Sequence, residues 1–201
     1  MPTPANAPLS MAERLDPTVH AALARSLGSL SHASALMAAS DWALHLAASP
    51  GQRMDLAHLA LRQGQEMAAY ALARMAAGPD KEARHAVAPP TQDRRFADPA
   101  WQQWPFNLMH QSFVLTEQWW AAATHGVWGV DKHHEDMVAF AARQFLDIFS
   151  PGNQVATNPV VLNRTLQQGG ANLMRGALHL LEDARRRAAG APPAGVEDFV
   201  V

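Results

Sequence analysis

The 201-residue sequence contains no cysteine, and this excludes disulfide bonds, thiolate metal sites and a cysteine nucleophile. It also lacks a Gly-x-Ser-x-Gly elbow, the usual mark of a serine nucleophile in a hydrolase fold. An excess of one charge is missing as well, because 16 basic residues nearly balance 18 acidic ones. The sequence therefore shows no basic face, and it does not predict a nucleic-acid partner.

Long apolar runs are absent too. Residues 1–11 show no basic start followed by an apolar run, so they do not predict a secretory signal. No uninterrupted apolar stretch approaches the length needed to cross a bilayer. A soluble, cytoplasmic chain is the simplest interpretation.

Apolar residues make up 48% of the chain and recur mostly at spacings of three and four, which predicts an all-α fold. Asp, Ser or Asn precedes a proline at five places, as in Asp98-Pro99 and Asn158-Pro159, and this pairing is typical of helix starts. The predicted helices span residues 17–27, 32–48, 53–77, 106–124, 133–149 and 159–187.

Breaks in the apolar pattern predict the domain organisation. The turn at 49–51 should join two helices into a helical hairpin. An aromatic-rich helical module should follow a breaker-rich linker, and both termini should be flexible. The predicted segments are 1–30, a mostly flexible N-terminus with one short helix; 31–77, the hairpin; 78–92, the linker; 93–187, the second module; and 188–201, a flexible tail.

Three polar features are candidates for chemistry. In the run from His133 to Asp136, adjacent helical residues point about 100° apart, so a solvated or capping cluster is favoured over a metal site. Asp41 and His45 have i,i+4 spacing, which favours a surface hydrogen bond over an acid–base dyad. The pair Gly169-Gly170 fits no nucleotide-binding loop, and we expect it to break or kink a helix. No metal or cofactor is expected.

Large aromatic side chains are concentrated after residue 100. Core packing is one interpretation, since aromatic side chains dominate core energetics. A docking surface is the other, because adjacent Trp119 and Trp120 are not expected to face the same core. The candidate partner interface comprises Trp101, Trp104, Phe113, Trp119, Trp120 and Trp128.

Three blocks of short motifs follow residue 93. The first contains Asp93–Phe96, Asp98–Trp101 and Trp104–Phe106; the second, Phe140–Phe145, Asp147, Ser150–Asn153 and Thr157–Pro159; the third, Gly169–Leu173, Gly176 and Leu181–Asp183. In this order they resemble the N-terminal region of polyhydroxyalkanoate, or poly-beta-hydroxybutyrate, synthases. Ser40–Leu46 with Ser49–Gly51 is similar to the short helical segment that precedes this region in some members.

The resemblance implies a non-catalytic role. Members polymerise 3-hydroxyacyl groups from coenzyme A thioesters with a Cys-Asp-His triad in a downstream α/β-hydrolase domain, so no catalytic residue carries over to this chain. Implied partners are that domain, which we expect to follow the strand-like start at 196–201, a second copy of the chain, and the polymer granule or its proteins in the cytoplasm. A free-standing helical granule-binding or adaptor protein is the alternative.

Overall fold

The computed structural model describes residues 10–26, 31–77, 94–192 and 194–196, and over these ranges the chain is helical with no strand. The seven α-helices found there are α1 (Met11–Ser26), α2 (His32–Ala47), α3 (Pro50–Ala77), α4 (Phe106–Thr124), α5 (Lys132–Ile148), α6 (Pro159–Gln167) and α7 (Ala171–Ala188). Two short 3-10 helices, Pro99–Gln102 and Pro151–Asn153, precede α4 and α6. The all-α prediction is confirmed, while the linker 78–92 and the strand-like residues 197–201 lie outside the described residues.

The chain forms two compact units. Unit 1 comprises Met1–Gly64 and Thr116–Leu146, and unit 2 comprises Gln65–Leu115 and Asp147–Val201. The boundaries between them therefore fall inside α3, α4 and α5. The predicted segments 1–30, 31–77, 78–92, 93–187 and 188–201 stay a prediction. No helix in the described ranges combines the length and apolarity needed to cross a membrane.

Helix α1 begins six residues before Pro17, so the predicted start at 17 is wrong. The backbone amide of Ser10 donates to Glu13 Oε2 over 2.8 Å, and the amide of Glu13 donates to Ser10 Oγ over 3.2 Å. This reciprocal pair is a capping box, which satisfies two amides at the helix start. Ser10 and Glu13 thus set the boundary, and Pro17 lies within the helix.

Helices α2 and α3 follow each other directly, joined by Ala48 and Ser49. Their packing against each other as a helical hairpin stays a prediction. The Ser49 hydroxyl donates to the His45 carbonyl over 2.7 Å, and the Ser49 carbonyl accepts from the Arg53 amide. Because Ser49 closes the end of one helix and opens the next, α3 starts at Pro50. The predicted start at 53 is three residues late.

The C-terminal end of α4 organises unit 1. The last carbonyls of a helix have no partner within the helix, so they need donors from elsewhere. His125 Nδ1 donates to the Ala121 carbonyl over 2.8 Å. Gln52 Nε2 of α3 donates to the Ala122 carbonyl over 3.2 Å, and the indole of Trp42 in α2 donates to the Ala123 carbonyl over 2.8 Å. Side chains from both α2 and α3 are thereby anchored at the end of α4.

The core of unit 2 is built around Phe96. Its ring centroid lies 4.8 Å from Trp101, 5.4 Å from His110 and 6.0 Å from Phe113. The Arg95 guanidinium sits 5.5 Å from the Phe96 and Phe113 ring centroids and contacts Asp147 Oδ1 over 3.1 Å. Aromatic pairs in such edge and stacked arrangements each add about 0.5–1.5 kcal/mol beyond area burial.

Polar side chains hold the connection between α5 and α6. Asn153 donates to the Asp147 carbonyl over 2.6 Å, and Gln154 donates to the Ile148 carbonyl over 2.8 Å. Asn158 donates to the Gly152 carbonyl, while its Oδ1 caps α6 by accepting from the Val160 and Val161 amides. The motif residues of this segment therefore close one helix and open the next.

The predicted single helix over 159–187 is wrong, because the chain breaks between α6 and α7. Gly169 has a φ of +54° and Gly170 a φ of +86°, which are left-handed conformations. The Gly170 amide donates to the Thr165 carbonyl, and the Gly169 amide donates to the Leu166 carbonyl. This is a Schellman motif, in which glycine ends a helix at little steric cost. The expected break at the glycine pair is confirmed.

Replacing Gly169 by alanine should lower the free energy of unfolding by about 1–2 kcal/mol, because an alanine side chain is disfavoured in the left-handed region. Gly176→Ala is the matched control, since Gly176 lies inside α7 and an added Cβ meets nothing within 4 Å. That variant should gain about 0.5–1 kcal/mol. Urea unfolding followed by far-ultraviolet circular dichroism measures both, and equal effects of the two changes would contradict the assignment.

Candidate functional site

The three predicted interface residues in unit 2 occupy different environments. Trp101 is 1% exposed and Phe113 is 8% exposed, and both pack in the Phe96 core. Trp104 is 72% exposed and lies just before α4. Among these three, Trp104 presents its ring to solvent.

The other three predicted interface residues lie in unit 1. Trp119 and Trp120 are partly buried, with ring centroids 5.5 Å apart in an edge arrangement. The Trp119 indole donates to the Leu56 carbonyl of α3 over 3.1 Å. The ring centroid of Trp120 instead lies 6.4 Å from that of Trp42 in α2. Adjacent tryptophans thus face different helices of one unit. Trp128, in the connection between α4 and α5, is 89% exposed.

The six residues are accordingly divided among three degrees of burial, namely buried, partly buried and exposed, and between two units. Assignment of all six to a partner or granule interface stays a prediction. For that role the exposed rings of Trp104 and Trp128 are the ones available without rearrangement of a core.

An apolar groove of about 360 Å³ opens between α2, α4 and α5 in unit 1. Helix α2 lines it with Trp42 and the alanines at 35, 38 and 39, and α4 contributes Trp120. The lining residues from α5 are Met137, Val138, Ala141, Ala142, Phe145 and Leu146. The alanines supply only methyl groups, so the helices leave space between them.

Asp41 connects α2 to the start of α5 in unit 1. Its Oδ2 accepts from His134 Nδ1 over 2.8 Å and from the Asp131 amide over 3.1 Å. Its Oδ1 lies 3.0 Å from His45 Nδ1, which gives the predicted i,i+4 contact. The hydrogen bond from His134, followed by that from the Asp131 amide, holds the pKa of Asp41 below its usual value of 3.8.

The run His133–Asp136 forms the first turn of α5. Asp131 Oδ1, just before the helix, accepts from the His133 and His134 amides. Glu135 accepts from Lys132 Nζ and from the Gly126 amide, each over 2.7 Å, and these hydrogen bonds, the one from Lys132 first, lower its pKa. The cluster therefore caps and positions α5. Within the ranges that the structure covers, no three His, Asp or Glu side chains converge on a metal-binding geometry.

The Asp41–His134 hydrogen bond has the form of a carboxylate that orients an imidazole, as in a hydrolase triad. A triad also needs a hydroxyl or thiol hydrogen-bonded to the other imidazole nitrogen. In the described part of the chain, the hydrogen bond of the His134 ring is the one to Asp41. No nucleophile is activated there, and the geometry favours a structural role.

Sequence reasoning missed His134 as the partner of Asp41 and Trp42 as the partner of Ala123. These pairs are separated by 93 and 81 residues. Periodicity assigns each residue to a helix but gives no information on which helices meet. The one hint in the sequence was that Asp41 and Trp42, which need hydrogen-bond partners, lie among the alanines of a predicted helix.

Comparison with known proteins gives two family matches. Residues 92–197 match the family described as "Poly-beta-hydroxybutyrate polymerase (PhaC) N-terminus", and residues 10–52 match "Poly-beta-hydroxybutyrate polymerase N terminal". The first match covers just over half of the chain. No solved structure matches.

Individual relatives of known type are also polyhydroxyalkanoate polymerases. A poly(3-hydroxyalkanoate) polymerase of Methylorubrum extorquens is 44% identical over 98 residues, which are 48% of this chain and 16% of that protein. Poly(3-hydroxyalkanoate) polymerase subunit PhaC of Rhizobium meliloti (strain 1021) is 36% identical over 92 residues, 45% of this chain and 15% of the relative. The Cupriavidus necator subunit is 31% identical over 98 residues, covering 48% and 16%. The matched region is thus a small part of each relative.

Buried and exposed members of the predicted interface should differ in their contribution to the free energy of unfolding. Trp101→Ala should lower the free energy of unfolding by about 3–5 kcal/mol, because it opens a cavity in the Phe96 core. Trp104→Ala, the matched exposed change, should stay within about 0.5 kcal/mol of the wild type. Chemical unfolding monitored by circular dichroism distinguishes them. Similar losses for both would show that Trp104 is also a core residue.

The Asp41 hydrogen bonds predict a specific pH dependence. Because the pKa of folded Asp41 is lowered, its stabilisation is complete above the unfolded value of 3.8 and is lost as pH falls through the lower folded value. Asp41→Asn should therefore be less stable than the wild type at neutral pH, and the difference should shrink at acidic pH. Urea unfolding across this range measures it, with exposed Asp55→Asn as the control. A difference that does not change with pH would contradict the account.

Proposed function

The chain belongs to the family of poly-beta-hydroxybutyrate polymerase (PhaC) N-termini, and from that premise we propose that it supports a polyhydroxyalkanoate synthase without performing the chemistry itself. The supported reaction is the polymerisation of 3-hydroxyacyl groups from coenzyme A thioesters. The observation that carries the proposal is the family match over residues 92–197. Support would consist of contact with the catalytic domain, dimerisation and association with the polymer granule.

The chemistry of the described residues agrees with a supporting role. The Asp41–His134 pair has no activated nucleophile, and the sequence has no cysteine for a thiol-based polymerase. Several motif residues have structural positions: Phe96 and Trp101 lie in the core of unit 2, Asn158 caps a helix, and Gly169-Gly170 ends one. They build a helical scaffold, and a scaffold acts through its surface.

Exposed apolar side chains make such a surface available. Trp104 and Trp128 are the exposed tryptophans among the predicted interface residues, and tryptophan is enriched among residues that dominate binding energy. The apolar groove is a separate concave feature of unit 1. We propose the catalytic domain as the partner of the two tryptophans and the cytoplasmic granule surface as the place of action.

A binding experiment tests this proposal. The purified chain is titrated with the part of the Methylorubrum extorquens polymerase that lies outside the matched region, and calorimetry should detect a complex. Trp104→Ala combined with Trp128→Ala should weaken binding at least thirtyfold, since a buried interface tryptophan contributes about 2 kcal/mol or more. Leu61→Ala with Leu72→Ala, which removes exposed apolar side chains of α3, is the matched control and should bind like the wild type.

Absence of binding by the wild-type chain would overturn the proposed partner. Sedimentation with polymer granules that carry no catalytic polymerase distinguishes the alternative, a free-standing granule-binding or adaptor protein. Binding to granules without binding to the catalytic part would favour that alternative. Binding to the catalytic part alone would favour the supporting region.

A further inference from the structure

Helix α7 has an apolar face and a polar face along its full length. Successive helical residues are turned by about 100°, so side chains three, four and seven positions apart share a face. The apolar face comprises Leu173, Met174, Ala177, Leu180, Leu181 and Ala184. Asn172, Arg175, His179 and Glu182 lie on the opposite face, and Leu178 extends one edge of the apolar one.

This apolar face is exposed. None of the 18 residues of α7 is buried, and the leucines and methionine are between 43% and 70% exposed. Side chains that make hydrogen bonds to the rest of the chain lie outside this face: Asn172 donates to Thr165 Oγ1 over 2.8 Å, Arg175 donates to Gln168 Oε1, and Asp183 Oδ1 accepts from the Ala194 amide over 3.1 Å. An exposed apolar stripe of this kind marks an interaction site.

Arginines border the stripe. Arg185, Arg186 and Arg187 occupy the last turn of α7. Arg185 follows Leu181 by four positions and Arg187 follows Leu180 by seven, so these two arginines lie at opposite edges of the apolar face. Both are exposed, whereas Arg186 also contacts Glu182 over 3.2 Å. Arginines at the edges of an apolar face allow their charged ends to reach a polar layer while the stems follow apolar surface.

We propose that α7 is an interfacial helix that binds the surface of an anionic phospholipid layer. Its leucines would enter the boundary between head groups and acyl chains, and Arg185 and Arg187 would contact the phosphates. A large separation of faces, low overall hydrophobicity and arginines beside leucines are the features of helices that lie in such an interface. The inference goes beyond the proposed function, because it requires neither a catalytic domain nor polymer.

Charge favours this occupant over a second copy of the chain. Helix α7 carries four arginines and only two acidic residues. Two such helices packed face to face would bring like charges together, whereas an anionic lipid layer complements them. The three adjacent arginines at one end also match a layer of head groups better than an apolar protein groove.

Vesicle binding tests the proposal on the full 201-residue chain. Wild-type protein should float with vesicles of phosphatidylcholine and phosphatidylglycerol, and its binding should weaken as salt is raised. Arg185→Gln with Arg187→Gln should weaken binding to these vesicles about thirtyfold, which corresponds to about 1 kcal/mol for each arginine near the surface. Met174→Gln with Leu181→Gln should weaken it at least tenfold, because the apolar contribution is lost.

The matched control replaces exposed leucines elsewhere. Leu61→Gln with Leu72→Gln, both 63% exposed on α3, should leave vesicle binding unchanged. Equal loss in this control, no binding by the wild type, or binding that does not depend on phosphatidylglycerol would overturn the proposal. So would a dimer that dissociates on Met174→Gln with Leu181→Gln while vesicles stay unbound. These assays contain no polymerase, so their failure is distinguishable from failure of the proposed function.

Discussion

The packing of unit 1 depends on the last carbonyls of α4, which have no partner within the helix itself. A helix leaves its last carbonyls without partners, and burying them without donors would cost about 1–3 kcal/mol for each group. Trp42 and Gln52 supply two of these donors from α2 and α3. The same end leads into the connection where Asp41 receives hydrogen bonds from Asp131 and His134. The last carbonyls of α4 therefore position α2 and α3, and Asp41 of α2 in turn holds the start of α5.

Local rules account for much of what the sequence predicts correctly. Apolar spacing identifies the helices, the pairs Asp98-Pro99 and Asn158-Pro159 mark helix starts, and Gly169-Gly170 marks a break. The errors are local as well: the Ser10–Glu13 capping box moves the start of α1, and the Schellman motif divides the last predicted helix. In each case the sequence contained two local signals: the capping box outweighs Pro17 as the start of α1, and the glycine pair outweighs the apolar spacing that predicted one long helix.

The candidate site was less predictable because it depends on contacts between distant residues. Composition and position identify Trp101 and Trp104 equally well, yet one is 1% exposed and the other is 72% exposed. The difference in burial arises because Trp101 packs in the core around Phe96 and Trp104 does not. That core is assembled from separate parts of the chain. The Asp41–His134 bond is a similar case, since helix periodicity carries no information on which helices pack together.

Several residues of the family motifs have a physical explanation in this structure. Phe96 and Trp101 build a core, Asp98 and Asn158 cap helices, and the glycine pair ends α6. In this structure these residues build a helical scaffold. What the scaffold offers is surface, in the exposed tryptophans and the apolar face of α7.

The most direct test of this account is the release of coenzyme A when the purified chain alone is incubated with 3-hydroxybutyryl-coenzyme A. A scaffold without an activated nucleophile should release no more than buffer does, at any pH at which the chain is folded. Release above that background, abolished by a single substitution in a folded variant, would show that the chain contains a catalytic centre and would contradict the account.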